Sequence, residues 1–314
     1  MDVIRAEGLT KRFGRLPALD GLDLSVGQGS VFGFLGPNGA GKTTTLRLLA
    51  GLTNPSSGRV WVEGQEVSGN SLQLRSAIGY LPEAPAFYTW MTGREFLRFT
   101  AKLYGLADGH AAERADALLA EVDLEEAADR RIKGYSRGMT QRLGLAQALM
   151  HRPRVLLLDE PASALDPMGR RDMLETISRL RGETTVFIST HILADVERIC
   201  DRVGIVNKGR LVALGSLDEI RNRRGQATFE VEVEGDAAGV AEQLASLPWV
   251  EAARITDLNG RPVLEVDAAD LEEAKRGLPR AILDTGLVML RYELATASLE
   301  DVFMDLVGSE EVEA

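Results

Sequence analysis

Residues 36–43 fit the pattern G-x-x-x-x-G-K-[ST] and read Gly36-Pro37-Asn38-Gly39-Ala40-Gly41-Lys42-Thr43. An apolar stretch at residues 31–35 precedes them, and the leucines of a helical pattern follow. In this arrangement backbone N–H groups wrap phosphates, Lys42 reaches the outer phosphates, and the Thr43 hydroxyl can ligate Mg²⁺. The motif predicts a phosphate-binding loop, with an ordinary glycine turn before a helix as the alternative. The predicted nucleotide contacts of this segment are Gly36, Pro37, Asn38, Gly39, Ala40, Gly41, Lys42, Thr43 and Thr44.

Two carboxylates, Asp159 and Glu160, follow a second apolar stretch that begins at Val155. Acidic groups at the end of a fully apolar strand are costly unless a cation or a substrate meets them. We predict that Asp159 holds Mg²⁺ through water and that Glu160 polarises the attacking water. Helix capping is the structural alternative for such acids, and the phosphate loop in the same chain argues against it.

The hydrophobic pattern of the first 220 residues indicates an α/β fold. Apolar, β-branched stretches at 31–35, 155–158 and 185–189 alternate with helical patterns, which is typical of a mainly parallel sheet buried by helices on both faces. Residues of about 92–151 read as almost entirely helical and predict an inserted helical subdomain. It opens at a predicted capping box and places four large apolar residues on one face: Phe96, Phe99, Leu103 and Tyr104.

A second domain is predicted after a basic linker at residues 221–227. From residue 228 to 308 the pattern indicates strand, helix, two strands around Asn259-Gly260, helix, strand and a closing helix that starts at Ser298. The order up to the last strand is typical of a small ferredoxin-like α+β module. Residues 309–314 form an acidic tail, and no catalytic motif lies in this part of the chain.

The charge of the 314-residue chain, −11 in total, is unevenly distributed. Residues 226–314 carry 20 acidic and 6 basic side chains, whereas residues 1–225 carry 27 acidic and 30 basic ones. The slightly basic residues 1–225 suit a polyphosphate ligand, and the acidic residues 226–314 argue against nucleic acid as a partner. The chain lacks a long apolar run and a recognisable secretory signal, and its single Cys200 permits no internal disulfide, so we expect a cytoplasmic protein.

A third motif, at residues 135–142, lies 23 residues before Asp159 and reads Tyr135-Ser-Arg-Gly-Met-Thr-Gln-Arg142. It resembles the signature sequence of ABC ATPases, usually Leu-Ser-Gly-Gly-Gln, with Ser136 and Gly138 in the matching places. Without the family, a turn and a helix N-cap would account for it. The resemblance is to exporter ATPases and covers residues 3–220. It implies the P-loop ABC fold, with N-terminal antiparallel strands beside the mainly parallel sheet.

Four further residues occupy positions of this family's motifs. Asp166 closes a D-loop that reads Ser-Ala-Leu-Asp, and His191 stands where a switch histidine touches the γ-phosphate. Phe13 takes the place of the aromatic that stacks on adenine, with core packing as the alternative. Glu83 replaces the glutamine that most members use to sense Mg²⁺ and to reach the membrane subunit.

The resemblance implies an ATPase that uses ATP and Mg²⁺ and works as a dimer. Lys42, Thr43 and Asp159 of one subunit would hold Mg²⁺-ATP, while Ser136 and Gly138 of the other would cover it. Because each motif occurs once, a second ATPase subunit is needed, expected to be a copy of the same chain. A separately encoded integral membrane permease would place the protein at the cytoplasmic face of the cell membrane, and export is the expected direction.

Two other kinds of protein were weighed. A soluble ABC ATPase acting on ribosomes or DNA would typically carry two cassettes or a long coiled coil with basic surfaces. A P-loop kinase would lack the motif at residues 135–142. The transported substrate, the identity of the second subunit and the role of the acidic C-terminal domain are left open by the sequence.

Overall fold

The computed structural model describes residues 2–67, 72–221, 227–235, 237–258, 261–295 and 299–308. The chain divides into two compact units, residues 1–217 and 218–314. The predicted boundary after residue 220 and the linker at 221–227 stay predictions, because residues 222–226 lie outside the described part of the chain.

Strands and helices alternate along the first unit. In chain order they are β1 (Asp2–Phe13), β2 (Leu16–Gly27), β3 (Val31–Leu35), α1 (Lys42–Leu49), β4 (Ser57–Val62), β5 (Gln65–Glu66), α2 (Leu72–Ala77), β6 (Ile78–Leu81), α3 (Gly93–Leu103), α4 (Asp108–Glu121), a 3₁₀ helix (Ile132–Gly134), α5 (Arg137–Leu149), β7 (Val155–Asp159), α6 (Pro167–Arg179), β8 (Thr185–Thr190), α7 (Leu193–Ile199), β9 (Arg202–Asn207), β10 (Arg210–Ser216) and α8 (Leu217–Arg221), which begins at the last residue of the unit.

A six-stranded sheet in the order β10-β9-β3-β8-β7-β6 forms the centre of this unit. Its strands pair in parallel except for β10, which runs antiparallel to β9. Every residue of β3, β7 and β8 is buried, as expected for strands covered on both faces. The predicted parallel sheet is confirmed. Because the strands share a direction, the segments that follow β3, β7 and β8 emerge at the same edge.

The predicted N-terminal antiparallel strands are also confirmed, as a second sheet in the order β2-β1-β4-β5. One hydrophobic cluster joins this sheet to the central sheet through α1, with Ile4, Leu46 and Phe34 among its fully buried members. Phe34 also contacts Phe187 of β8, with ring centroids 5.3 Å apart. Packing on both sides of α1 therefore fixes the loop that joins β3 to α1.

The helical patterns at residues 92–151 form α3, α4, α5 and the 3₁₀ helix, with turns between them. The predicted capping box is present at the start of α3. The Glu95 N–H donates to Thr92 Oγ1 at 3.1 Å, and the Thr92 N–H donates to the Glu95 carboxylate at 2.9 Å. These two bonds satisfy donors that a helix start would otherwise leave without partners.

The four residues predicted to share one face of α3 do so: Phe96, Phe99, Leu103 and Tyr104 line one groove. The buried side of the helix consists of Phe96, Leu97, Thr100 and Ala101, whereas Phe99, Leu103 and Tyr104 are exposed. Of the four predicted residues only Phe96 is buried, so most of this face is open. Leu103 and Tyr104 lie at the C-terminal end of the helix, where Leu103 is 70% exposed.

The second unit has the predicted ferredoxin-like order. Its elements are β11 (Ala227–Glu234), α9 (Val240–Ala245), β12 (Val250–Leu258), β13 (Arg261–Ala268), α10 (Leu271–Asp284), β14 (Val288–Ala295) and α11 (Leu299–Gly308). The antiparallel sheet runs β12-β13-β11-β14, and one face packs its apolar residues against α9 and α10. The predicted turn at Asn259-Gly260 and the predicted helix start at Ser298 lie outside the described residues.

The helices that the described residues form were compared with the length and hydropathy that a membrane span requires. None of them meets both requirements.

Candidate functional site

The loop between β3 and α1 depends on glycine at two tightly packed positions. A Cβ at Gly36 would lie 2.3 Å from the Val206 carbonyl oxygen, and one at Gly41 would lie 2.6 Å from the Ala18 carbonyl oxygen. Gly41 also adopts a φ of 106°, which other residues rarely adopt. Larger residues at these positions would push the loop away from the strands that support it.

Lys42 is buried at the first position of α1 and is held inside this loop. Its ammonium donates to the Gly36 carbonyl at 2.7 Å and to the Pro37 carbonyl at 3.2 Å. It also lies 3.3 Å from Glu160 Oε1, in a buried ion pair. The loop carbonyls therefore fix the charge at the centre of the loop, where it can meet a phosphate.

Asp159, at the end of β7, accepts two hydroxyl hydrogen bonds on one oxygen. Thr43 Oγ1 donates to Oδ1 at 3.1 Å, and Ser189 Oγ donates to the same atom at 2.7 Å. Asp159 and Ser189 are both buried. The two bonds fix the carboxylate beside the Thr43 hydroxyl and leave Oδ2 without a donor among the described residues.

Glu160 follows Asp159 with a left-handed backbone, φ 48°. Its N–H donates to the Ser189 carbonyl at 3.1 Å, with Ser189 Oγ at 3.2 Å, which holds the strained residue in place. The carboxylate, almost fully buried, lies 2.9–3.0 Å from His191 Nδ1. A carboxylate accepts a proton-bearing Nδ1, so the imidazole presents Nε2 to any further partner.

Lys42, Thr43, Glu160 and His191 line one cleft of about 400 Å³, and Asp159 contacts this cleft through its hydrogen bond from Thr43. Its walls are formed by Ala18, Asn38, Gly39, Gly41, Lys42, Thr43, Thr44, Glu83, Glu160, Ser163 and His191. The predicted phosphate loop, the predicted catalytic pair Glu160 and His191, and Glu83 are thus brought together. Ser189 and Ala18 were missed by the sequence analysis. Ser189 could have been found from the sequence, because it is a hydroxyl-bearing residue at the end of an apolar strand. Nothing in the sequence marks Ala18 as a residue of the site.

The family comparison agrees with this geometry. The family model described as ABC transporter matches residues 19–163, and the model described as ATP-binding protein DrrA1-3-like, C-terminal domain, matches residues 215–307. An ABC transporter ATP-binding protein of Bacillus subtilis (strain 168), YxlF, is 40% identical over 97% of this chain and 99% of its own length. This chain belongs to the ABC transporter ATP-binding protein family. It is the ATP-hydrolysing subunit of an ABC transporter.

Other relatives and solved structures support the same family. The daunorubicin resistance ATP-binding protein DrrA3 of Streptomyces coeruleorubidus is 37% identical over 98% of this chain and 96% of its own. The bacitracin transport ATP-binding protein BcrA of Bacillus licheniformis is 35% identical over 98% of this chain and 97% of its own length. A solved ATP-binding subunit of an ABC transporter shares 32% identity, with a TM-score of 0.65, over 71% of this chain and 93% of that one. The predicted family and fold are confirmed.

Eight predicted site residues of this ABC ATPase do not line the cleft: Phe13, Gly36, Pro37, Ala40, Ser136, Gly138, Asp159 and Asp166. Gly36 and Pro37 carry the carbonyls that hold Lys42, and Asp159 accepts a hydrogen bond from Thr43. Ser136 is exposed and caps α5, accepting from the Met139 N–H at 3.2 Å, and Asp166 caps α6, accepting from the Gly169 N–H at the same distance. The helix N-cap raised as the alternative for Ser136 is therefore present, and Asp166 is also a helix N-cap. Phe13 is 55% exposed, which excludes core packing as its role.

Glu83 links the ATP-binding cleft to a neighbouring cavity of about 490 Å³. That second cavity is lined by Tyr135, Arg137 and Gln141 at the start of α5, and Glu83 and Ser163 line both. Gln141 Nε2 is buried and has no hydrogen-bond partner among the described residues. Glu83 and Ser163 therefore lie between the cleft and the start of α5, the helix that follows the signature serine Ser136.

Proposed function

We propose that this subunit binds Mg²⁺-ATP in the cleft and transfers the γ-phosphoryl group to water with Glu160 as the base. The observation that carries the proposal is the position of the Glu160 carboxylate, which lies between the ammonium of Lys42 and the imidazole of His191. The N–H groups of the loop and of the first turn of α1 would receive the phosphates. Phe13, being exposed, is free to stack on the adenine ring.

The oxygen ligands of the cleft fit a magnesium ion. Thr43 Oγ1 and Asp159 Oδ1 lie 3.1 Å apart, and Glu83 adds a second carboxylate to the same cleft. Mg²⁺ prefers such hard oxygen ligands and usually keeps several waters beside one or two carboxylates. Thr43, Asp159 and Glu83 would hold the metal, which supplies charge neutralisation at the phosphates when bound.

Hydrolysis then depends on positioning and on charge. Lys42 would stabilise the negative charge that develops on the transferred group, because the loop carbonyls already fix its ammonium. Glu160 would orient the attacking water and accept its proton. His191 would hold that carboxylate through Nδ1 and meet the γ-phosphate through Nε2.

A second copy of the chain would complete the site. Ser136 and Gly138 begin α5 but do not line the cleft of their own chain, and the signature sequence occurs once. The N-terminus of a 13-residue helix favours anions, so α5 of the second copy would cover the phosphates. Asp166, exposed at the start of α6, would lie at the same interface.

We infer that the partner of the ATPase dimer is an integral membrane permease and that the direction is export. The relatives are named for resistance to daunorubicin and linearmycin and for transport of bacitracin, which favours an antibiotic-like substrate. An apolar groove of about 540 Å³ on the helical subdomain, lined by Tyr88, Phe99 and Leu103 among others, offers a place for a permease helix to dock. This arrangement would hold the subunit at the cytoplasmic face of the membrane.

The proposed activity is tested by incubating the purified protein with Mg²⁺-ATP and no phosphate acceptor. We expect inorganic phosphate to be released continuously, because water is the acceptor. An enzyme that converts ATP to ADP only when a small-molecule acceptor is added, and transfers the phosphoryl group to that acceptor, would be a kinase, and that result would overturn the proposal.

Glu83→Gln is expected to change the Mg²⁺ concentration that gives half-maximal ATPase activity more than it changes ATP binding without metal. The reason is that Glu83 would bring a charge to the metal that glutamine lacks. Magnesium titrations of activity check this, with the exposed Glu125→Gln as control. Superimposable titrations of wild type and Glu83→Gln would leave Glu83 without a role at the metal.

We further propose the domain division of the sequence: an ATPase domain at 1–220, a linker at 221–227, an accessory domain at 228–308 and an acidic tail. A chain that ends after residue 224 is expected to bind Mg²⁺-ATP as tightly as the full chain, because every residue of the cleft precedes that point. Calorimetry on a truncation whose circular dichroism shows a folded protein checks this. Loss of ATP binding by that folded protein would refute the boundary.

A further inference from the structure

Strand β14 is an edge of the second unit's sheet, and no described residue pairs with its outer side. Three large apolar residues are exposed along it: Val288 (56%), Leu290 (44%) and Leu294 (38%). An edge strand presents unpaired backbone N–H and C=O groups to any other strand, and proteins usually protect it with proline, charges or bulges. Here a bulge near Leu290 interrupts the strand, while residues 291–295 pair regularly with β11. The segment 291–295 is therefore a short strand able to accept a partner.

We infer that β14 pairs antiparallel with β14 of a second copy of this chain, about a two-fold axis at Tyr292. Two residues that lie opposite each other in a ladder point to the same face of the sheet, whereas successive residues of one strand point to opposite faces. Two residues related by the axis must therefore be an even number of positions apart, which places the axis at a residue and not between two residues. An axis at residue 291 would set Arg291 against itself, and one at residue 293 would set Glu293 against itself. An axis at Tyr292 instead sets Arg291 of each copy opposite Glu293 of the other copy, which gives two pairs of opposite charge.

The charges within one chain favour this contact. Glu293 lies directly opposite Glu230 of β11, a like-charged pair that destabilises a ladder. Arg291 partly offsets it, at 3.3 Å from Glu230 and 3.4 Å from Glu293. The proposed register brings a second arginine beside Glu293 and so offsets the repulsion further.

The opposite edge of the sheet, β12, lacks this self-complementarity. Its arginine, Arg254, pairs with Glu265 and Asp267 of β13, just as Arg291 pairs with Glu230 and Glu293, so the two edges differ in the registers they allow and not in this pairing. A two-fold axis at Arg254 would set it against itself, and one at Ile255 would set it opposite Thr256. Between the two edges of this sheet, as far as its described residues go, β14 is the one that selects a second copy of itself through its charges.

The contact is small. A few residues on each strand bury much less than the roughly 1,200–2,000 Å² of a stable interface. By itself it is expected to be transient, and it strengthens any other contact between two copies by raising their effective concentration. It does not depend on ATP, so it stands or falls separately from the proposed function.

Disulfide trapping of the full-length protein tests the register. The native Cys200 is buried, and burial raises the pKa of its thiol, so it contributes little background. Under mild oxidation without nucleotide, Tyr292→Cys is expected to form a cross-linked dimer about tenfold more efficiently than Ala252→Cys on β12, because directly opposite residues lie within disulfide reach. Equal cross-linking of the two variants would overturn the inference.

A second pair of variants guards against misfolding, since Tyr292 stacks on Phe229. Arg291→Cys and Glu293→Cys replace exposed residues inside the regular segment; mixed together they are expected to cross-link, whereas each alone is not. In the Tyr292→Cys protein, adding Arg291→Glu should abolish the cross-link, and adding Glu293→Arg to that variant should restore it. Folded variants that give no mixed cross-link, or that ignore the charge changes, contradict the pairing. Their ATPase activity should match that of wild type, because none of these residues lines the cleft.

Discussion

Glu160→Gln is expected to hydrolyse ATP about 10²–10⁴ times more slowly than the wild-type subunit, the usual contribution of a general base. Glutamine keeps the shape of the side chain but cannot accept a proton from water. The Lys42 ammonium keeps its two carbonyl partners at Gly36 and Pro37, so ATP binding should be retained or tightened. Phosphate release and calorimetric ATP titration measure the two effects separately.

The matched control is Glu175→Gln. Glu175 lies on α6, where it pairs with Arg171 and Arg198 and does not line the cleft. The Glu175→Gln protein should hydrolyse ATP at the wild-type rate. If Glu160→Gln did the same, Glu160 could not be the base and the mechanism would fail.

Lys42→Ala is expected to lose ATP binding itself. A hydrogen bond to a charged group contributes about 1.5–3 kcal/mol, so losing two contacts to the phosphates should weaken affinity by two to four powers of ten, roughly. The buried Glu160 carboxylate would also lose an ion-pair partner at 3.3 Å. With ATP, this variant should remain a monomer in size-exclusion chromatography.

Thermal unfolding and a second lysine separate binding from stability. Lys102→Ala removes an exposed ammonium that pairs with Asp108, far in sequence from the loop, and should bind ATP normally. A Lys42→Ala protein that unfolds cooperatively and still binds ATP with wild-type affinity would show that the loop lysine does not meet the phosphates.

The central features of the fold were predictable because local pattern and tertiary packing agree. Residues 31–35 and 155–158 are apolar throughout, and only strands covered on both faces bury every side chain. The loop motif sits between such a strand and a helix, so its position at the sheet edge follows from chain direction. The carboxylates after β7 reach the same edge for the same reason.

Other features depend on long-range packing that one sequence does not encode locally. Helix α3 buries Leu97 and Thr100 but exposes Phe99, because its neighbours α4 and α5 decide which side is covered. The hydroxyl of Ser189 meets Asp159 across two adjacent strands, a pairing fixed by register. Ser136 and Asp166 were assigned from the family resemblance, and within one chain they act as helix caps.

We propose that two chains enclose ATP between the phosphate loop of one and the start of α5 of the other. Sedimentation equilibrium of Glu160→Gln tests it directly, since this variant should bind ATP without hydrolysing it. With Mg²⁺-ATP we expect twice the 34.1 kDa mass of one chain, and without nucleotide mainly the single mass. Adding Ser136→Glu should abolish the dimer by placing a negative charge against the phosphates. A Glu160→Gln protein that binds ATP and stays at 34.1 kDa would contradict the claim.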